Sequence, residues 1–274
     1  MAEKQEFKLP DNIIEATQTD SEDLVIISIP KAGKGTILGK LTEERNAMVF
    51  DLEKGGYSYI SARKMSIYTN NETTLPEAFS NYIKIRNLLL ENKGKYDFLI
   101  IDGLSDLDVL SELGGTYVYM DSVIGKKFNR DEKGDKLKFG DPNFRLVTTL
   151  PEGAGYSATR RWFLDQIDIF KQISKFRIYA SHIADKYIKE NSKEEVIGSE
   201  ISLTGKLKTI FASKVTSLAK LVVEDDKRYL NFTVANSGII AGSRNPKLEG
   251  NILISEKDPK TKEIKTFWEN IYTN

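Results

Sequence analysis

The chain has 274 residues, with 40 Lys+Arg against 40 Asp+Glu, so its formal net charge is zero and no overall field draws it to nucleic acid or membrane. With no Cys and a single His, His182, it has no means of making disulfides, a thiolate nucleophile, a Cys-zinc site or a multi-His metal cluster. A hydrophobic content of 40% supplies the core of one α/β domain with insertions, and 29% charged residues suit a solvated surface.

Residues 1–22 are polar and charged, lack the apolar core of a signal peptide, and read as a flexible arm or a strand added at a sheet edge. No apolar run reaches the roughly 18 residues of a membrane span, so a cytoplasmic location without membrane contact is expected. Leu24–Ile29 is a Val/Ile-rich run that predicts a buried strand. It leads into Pro30-Lys31-Ala32-Gly33-Lys34-Gly35-Thr36. A helix over Lys34–Glu44 follows, with Ile37, Leu38 and Leu41 at core spacing.

Strand, Gly-containing turn and helix form the context of a phosphate-binding P-loop. Glycine lets the backbone turn tightly so that its N–H groups aim at an anion, and the helix N-terminus adds positive partial charge behind them. Lys34 supplies a full charge. The pattern G-x-x-x-x-G-K-[ST] is met with departures: Ser28 stands at the first Gly, Gly35 at the hydroxyl position, and Thr36 one position late.

A second buried strand, Ala47–Leu52, ends at Glu53 before the turn signal Lys54-Gly55-Gly56. Pro76 opens a helix on which Phe79, Tyr82, Ile83, Arg86, Leu89 and Leu90 recur at three- and four-residue spacing, and Gly94 closes it. Tyr96–Ile101 is a third strand, ending in Asp102. Strands joined by a helix imply a right-handed crossover and a parallel sheet. Asp102-Gly103-Leu104-Ser105-Asp106 opens a helix to about Leu113, followed by an irregular insertion over about 114–159.

Arg160–Lys175 is amphipathic, and Phe176–His182 is the fourth core strand. A second polar loop covers 184–204, and a helix covers Gly205–Val215. Leu218–Val223 and Tyr229–Ala235 form a hairpin around Glu224-Asp225-Asp226-Lys227. Gly238–Leu248 is loop, and residues 251–274 read as a C-terminal extension with an edge strand and a short helix. The main domain is thus expected over residues 23–250.

Several strand-end and loop positions carry candidate chemistry. Asp102, closing the run Phe98-Leu99-Ile100-Ile101, suits a Mg²⁺ ligand or, alternatively, a helix cap. Glu53 suits a general base that deprotonates water, a role worth roughly a hundred- to ten-thousand-fold; the alternative is a surface acid before a Gly-Gly turn. His182 suits a sensor of the terminal phosphate or, alternatively, a lone hydrogen-bonded histidine. Arg244 and Lys247, in Gly242-Ser243-Arg244-Asn245-Pro246-Lys247, offer a cation to a neighbour's site, a role worth about a thousand- to a hundred-thousand-fold, or are solvated loop charges. Within Gly125–Lys138, Lys126, Lys127, Arg130, Lys133, Lys136 and Lys138 oppose three acids. With Phe128, Phe139 and Phe144 as stacking surfaces, they suit a single-stranded nucleic-acid backbone or form a solvated loop.

The P-loop strand, the strand ending Phe50-Asp51-Leu52-Glu53, the strand ending Ile100-Ile101-Asp102 and a fourth strand with a polar terminal residue together resemble the RecA-like P-loop ATPase core. Thr204–Leu221 is similar to the RecA segment after its second DNA-binding loop, and Ala241–Gly250 resembles compact phage-encoded nucleotide-binding proteins of the AAA type. The resemblance implies an α/β fold with a mostly parallel sheet flanked by helices and a C-terminal antiparallel hairpin. It implies an ATPase using ATP and Mg²⁺, with nucleotide held by Pro30 to Thr36, metal by Thr36 and Asp102, and catalysis by Lys34, Glu53, His182 and a stand-in cation, Arg244.

The loops at about 114–159 and 184–204 would match the two DNA-binding loops. Single-stranded DNA, a single-stranded-DNA-binding protein and further copies in a ring or filament are the implied partners, in recombination, annealing or replication. Gly33-Lys34-Gly35-Thr36 also resembles the loop of adenylate kinases, so a nucleotide kinase is a second reading. A non-catalytic nucleotide-binding assembly protein is a third.

Overall fold

The computed structural model describes residues 20–190, 193–233 and 241–273. Most of the expected N-terminal arm, residues 1–19, lies outside the described residues, as do residues 234 and 235 of the expected second hairpin strand and 238–240 of the loop expected after it.

In chain order the elements are β1 (Asp23–Ser28), α1 (Lys34–Glu44), β2 (Ala47–Asp51), β3 (Lys64–Ser66), α2 (Leu75–Glu91), β4 (Phe98–Asp102) and α3 (Leu104–Asp121). After two short 3-10 turns come α4 (Tyr156–Ile173), β5 (Phe176–Glu190), β6 (Lys193–Ile201), α5 (Leu207–Lys214), β7 (Ser217–Glu224) and β8 (Lys227–Asn231). The chain closes with β9 (Gly242–Ser243), β10 (Asn251–Lys257), β11 (Ile264–Thr266) and a 3-10 turn at Trp268–Asn270.

The main sheet runs β11-β10-β8-β7-β1-β5-β4-β2-β3. The pairs from β7 through β1, β5, β4, β2 and β3 are parallel, and those from β7 outward through β8, β10 and β11 are antiparallel. This is the expected α/β class: a mostly parallel sheet flanked by helices, with antiparallel strands toward the C-terminus.

Strand alternation divides the core between the two faces. Val25 and Ile27 of β1 pack with residues of α2, α3, α4 and α5, including Tyr82, Leu107, Phe163 and Phe211. Leu24 and Ile26 pack on the other face with Ile37, Leu38 and Leu41 of α1 and with Trp268, Ile271 and Tyr272. The indole of Trp268 donates to the Ile37 carbonyl at 3.2 Å. Residues 251–273 therefore continue the sheet and complete the core over α1. Among the described residues no helix is long and apolar enough to cross a membrane.

Local chemistry explains several boundaries. Thr74 and Glu77 form a capping box at the start of α2, with Pro76 in its first turn. The third helix differs from its expected end near Leu113 and runs on to Asp121. A Cβ at Gly114 would come within 2.1 Å of Trp162, and one at Gly115 within 2.7 Å of the Thr159 backbone. The glycines admit close packing of α4 on α3, and that tertiary contact outweighs their poor helix propensity.

The expected second polar loop is also corrected. β5 continues unbroken past His182, and its extension pairs antiparallel with β6 from Ile183↔Ile201 to Glu190↔Lys193. The polar sequence there satisfies its backbone as a two-stranded arm. β3, absent from the sequence reading, is three residues of edge strand aligned parallel to Val49–Asp51.

Candidate functional site

Parallel pairing brings several strand ends to one edge of the sheet. Ser28 of β1 is level with His182, and Asp51 of β2 is level with Asp102 of β4. In open α/β sheets this carboxyl edge is where ligands bind. The turn after β1 passes through left-handed backbone at Lys31 (φ 64°) and Gly33 (φ 92°) before α1 begins at Lys34.

A cavity of about 330 Å³ opens there, lined by Ser28, Ile29, Lys31, Gly33, Lys34, Gly35, Thr36, Glu53, Gly56, Ile60, Asp102 and His182. A larger cavity of about 460 Å³, between α3, the start of α4 and the 204–207 turn, contains none of these residues.

Lys34 is the hub. Its ammonium, 7% exposed with the residue as a whole, lies 2.7 Å from Asp102 Oδ1 and 3.1 Å from Glu53 Oε1. The Asp102 contact is close but poorly angled, an ion pair rather than an aligned hydrogen bond. Burial by itself would lower the lysine's pKa; the Asp102 and then the Glu53 carboxylates outweigh it and leave the pKa above its ordinary 10.5.

The other Asp102 oxygen, Oδ2, accepts from the Tyr57 hydroxyl at 2.8 Å. Burial, then the neighbouring Asp102 charge, hold that phenol well above its usual pKa. Tyr57 therefore keeps its proton and acts as a fixed hydrogen-bond donor to Asp102. Glu53 Oε1 also lies 3.3 Å from His182 Nε2.

Two more acids close the ring. The Glu53 N–H donates to Asp51 Oδ1 at 3.2 Å. Burial raises the Asp51 carboxyl to about 6. Asp106, in the first turn of α3, is also raised to about 6, by burial and then by the charge of Glu53.

The expected residues divide cleanly. Lys34, Thr36, Glu53, Asp102 and His182 share the cavity, as do Lys31, Gly33 and Gly35. Pro30 sits on the exposed outside of the turn, and Ala32 turns a buried side chain away, so neither lines it.

Arg244 lies elsewhere. Its backbone pairs with Thr216 and its guanidinium with the Ser213 carbonyl at 2.6 Å, beside the Ser217 end of β7. That end is level with Leu24, at the opposite edge of the sheet from its own P-loop. Lys247 follows on the same exposed turn.

The basic insertion is folded on itself. Phe128 is buried against Tyr119 at 5.5 Å, and Phe139 meets Phe144 at 5.6 Å, which in turn meets Tyr117 at 6.0 Å. These rings form the insertion's small core and are not free stacking surfaces. Arg130 bonds the Lys126 carbonyl, and Lys136 pairs with Asp121. Lys126, Lys127, Lys133 and Lys138 are exposed.

Sequence reading missed Tyr57, Asp51 and Asp106 as members of the site. Asp106 belongs to the motif that opens α3. Nothing local marks Tyr57, which meets Asp102 across 45 positions of chain.

The residues fit a bound polyphosphate with its metal. Ser28 Oγ is buried at the cavity wall without a hydrogen-bond partner, a position that a polar ligand satisfies. Thr36 and Asp102 offer the hard oxygens that Mg²⁺ takes. Among the described residues no three of His, Cys, Asp and Glu converge to hold a metal on their own, in keeping with an ion that keeps waters and shares phosphate oxygens.

Residues 21–245 match the family model described as AAA domain. The chain belongs to this AAA-domain family. The strand–loop–helix around Lys34 is thus the P-loop of an AAA-type ATPase domain. No curated protein matches the chain. Among solved structures it is similar to the KaiC-like protein PH0186 from the hyperthermophilic archaeon Pyrococcus horikoshii OT3, at 9% identity and a TM-score of 0.41, over 90% of each chain.

Proposed function

We propose that this AAA-domain protein is a Mg²⁺-dependent ATP hydrolase of the RecA-like kind that works on single-stranded DNA in recombination, annealing or replication. The observation that carries the catalytic part is the meeting of Lys34, Glu53 and Asp102 around one cavity behind a P-loop. In the free protein the Lys34 ammonium bridges both carboxylates. A triphosphate competes for that ammonium and draws it from Asp102, which is then open to the metal side of the site. Asp102 and Thr36 would hold Mg²⁺, which would supply charge neutralisation at the phosphates.

Glu53, with its side chain 21% exposed, keeps an oxygen at the cavity where it orients water and takes its proton. His182 reads the same oxygen through Nε2 and stands where β5 leaves the sheet for the 183–201 arm. A change at Glu53 is thereby passed to that arm.

DNA contact is assigned to that arm and to exposed Lys126, Lys127, Lys133 and Lys138, with Arg130 and Lys136 nearer the fold. The cavity's own lining brings Lys31 and Lys34 as cations. A further cation, for which Arg244 is the candidate, comes from a neighbouring copy in a homo-oligomer. The likeness of Ala241–Gly250 to phage-encoded proteins supports a phage origin, and with it a place in the host cytoplasm beside a single-stranded-DNA-binding protein.

The test is ATP turnover with and without single-stranded DNA. Turnover rises with DNA and is lost in Lys34→Ala. Glu53→Gln keeps nucleotide binding and loses roughly a hundred- to ten-thousand-fold in rate. Undiminished turnover in Glu53→Gln removes it as the base, and phosphate transfer to a nucleoside monophosphate would replace this reading with a kinase.

A further inference from the structure

One contact to the P-loop comes from outside the cavity. Arg228 stands just after the turn between β7 and β8, on the strand that pairs with β7 beside β1. Its half-buried guanidinium crosses to the loop, and Nε donates to the Ala32 carbonyl at 2.9 Å. The same group lies flush against Gly33: a Cβ there would be 2.5 Å from Nε and 3.0 Å from Cζ and Nη2.

Peptide geometry gives this contact its meaning. In a trans peptide the carbonyl and the following N–H point in opposite directions. Holding the Ala32 oxygen on the outer side therefore turns the Gly33 N–H inward, and Gly33 lines the cavity while Ala32 does not. Were this peptide to flip, a carbonyl oxygen would face the bound anion. Left-handed backbone at Lys31 and Gly33 makes the turn an anion-binding concavity only while that plane is fixed. Gly33 is required twice, for its positive φ and because the guanidinium occupies the space of a side chain.

We propose that Arg228 is a positioning residue for phosphate binding, clamping the Ala32–Gly33 peptide so that the loop N–H groups face the polyphosphate. This rests on the reading of the loop as a triphosphate site. It adds to that site a residue from the antiparallel part of the sheet, 196 positions away in the chain. A planar guanidinium suits the task, since it fixes the direction of its N–H where an ammonium does not.

The test is equilibrium binding of a fluorescent ATP analogue with Mg²⁺ to the full chain, in wild type, Lys34→Ala, Arg228→Ala and Arg228→Lys. Arg228→Ala is expected to bind about ten- to a hundred-fold more weakly, the range of a lost charge-assisted hydrogen bond. Arg228→Lys falls between it and wild type. Methylguanidinium at sub-denaturing concentration restores binding to Arg228→Ala and leaves Lys34→Ala unchanged, a rescue that a merely structural role would not give. Wild-type affinity in Arg228→Ala, with binding lost in Lys34→Ala, overturns the proposal and leaves the nucleotide site standing. Absence of binding to wild type overturns the site and the proposal together. Should Arg228→Ala fail to fold, Arg228→Lys and Arg228→Gln decide: equal wild-type affinity in both overturns the clamp, and a graded loss supports it.

Discussion

Replacing Lys34 by Met removes the cation at the centre of the site and leaves Asp102, Glu53 and Asp106 facing one another. Asp102 is 2% exposed and Lys34 7%, and they stand 2.7 Å apart, so water screens the pair little. Two unit charges about 4 Å apart interact by about 4 kcal/mol at an effective dielectric of 20. Removing one partner of a buried pair costs about 3–5 kcal/mol because the other charge is stranded. Lys34→Met should therefore cost about 3–4 kcal/mol, and Asp102→Asn about 2, since Glu53 still balances the lysine.

In the double variant the buried Asp102 charge is no longer stranded, so its cost should fall short of the sum by about 2 kcal/mol or more. The assay is urea unfolding of all four proteins at pH 8, without nucleotide and with a chelator. The lysine's folded pKa is raised above 10.5, so the pair's stabilisation is present throughout neutral pH and is lost only as pH climbs past that folded value. Additive costs, within about 0.5 kcal/mol, would refute the coupling.

Two further outcomes follow from the same geometry. The Asp51 carboxyl titrates at about 6 when folded against 3.8 as a free group, so the folded state resists its ionisation. Asp51→Asn, which keeps an oxygen for the Glu53 N–H, should stabilise the metal-free protein by about 2 kcal/mol at pH 8, discounted from about 1.4 kcal/mol per pKa unit. The gain should shrink as pH falls through 6 and vanish near 3.8; urea midpoints across that range check it, and a gain independent of pH contradicts it. Trp268→Ala should cost about 3–5 kcal/mol in the same assay, because the indole is 1% exposed and sits in the core over α1. A loss under about 1 kcal/mol would mean that the last residues dock on the domain without completing it.

Short-range pattern in the chain accounts for several of these features. The Val/Ile runs at Leu24–Ile27 and Phe98–Ile101 must be buried strands, Gly33 must supply the left-handed turn before Lys34, and Glu53 and Asp102 must fall where their strands end, whereas His182 lies level with the end of β1 inside a strand that runs on. A parallel sheet then carries those ends to a common edge, which is why so much of the site was legible. Tertiary structure decided the rest. Packing of Trp162 on Gly114 carried α3 past its expected end, and antiparallel pairing made an arm of the polar 183–201 segment.

The insertion's phenylalanines pack on one another and on Tyr117, and Arg244 bonds Ser213 at the far edge of the sheet from its own loop. Tyr57 on Asp102 and Arg228 on Ala32 join residues 45 and 196 positions apart. Such contacts leave no trace in local periodicity, because their partners are chosen by which strands and loops the folded sheet sets side by side.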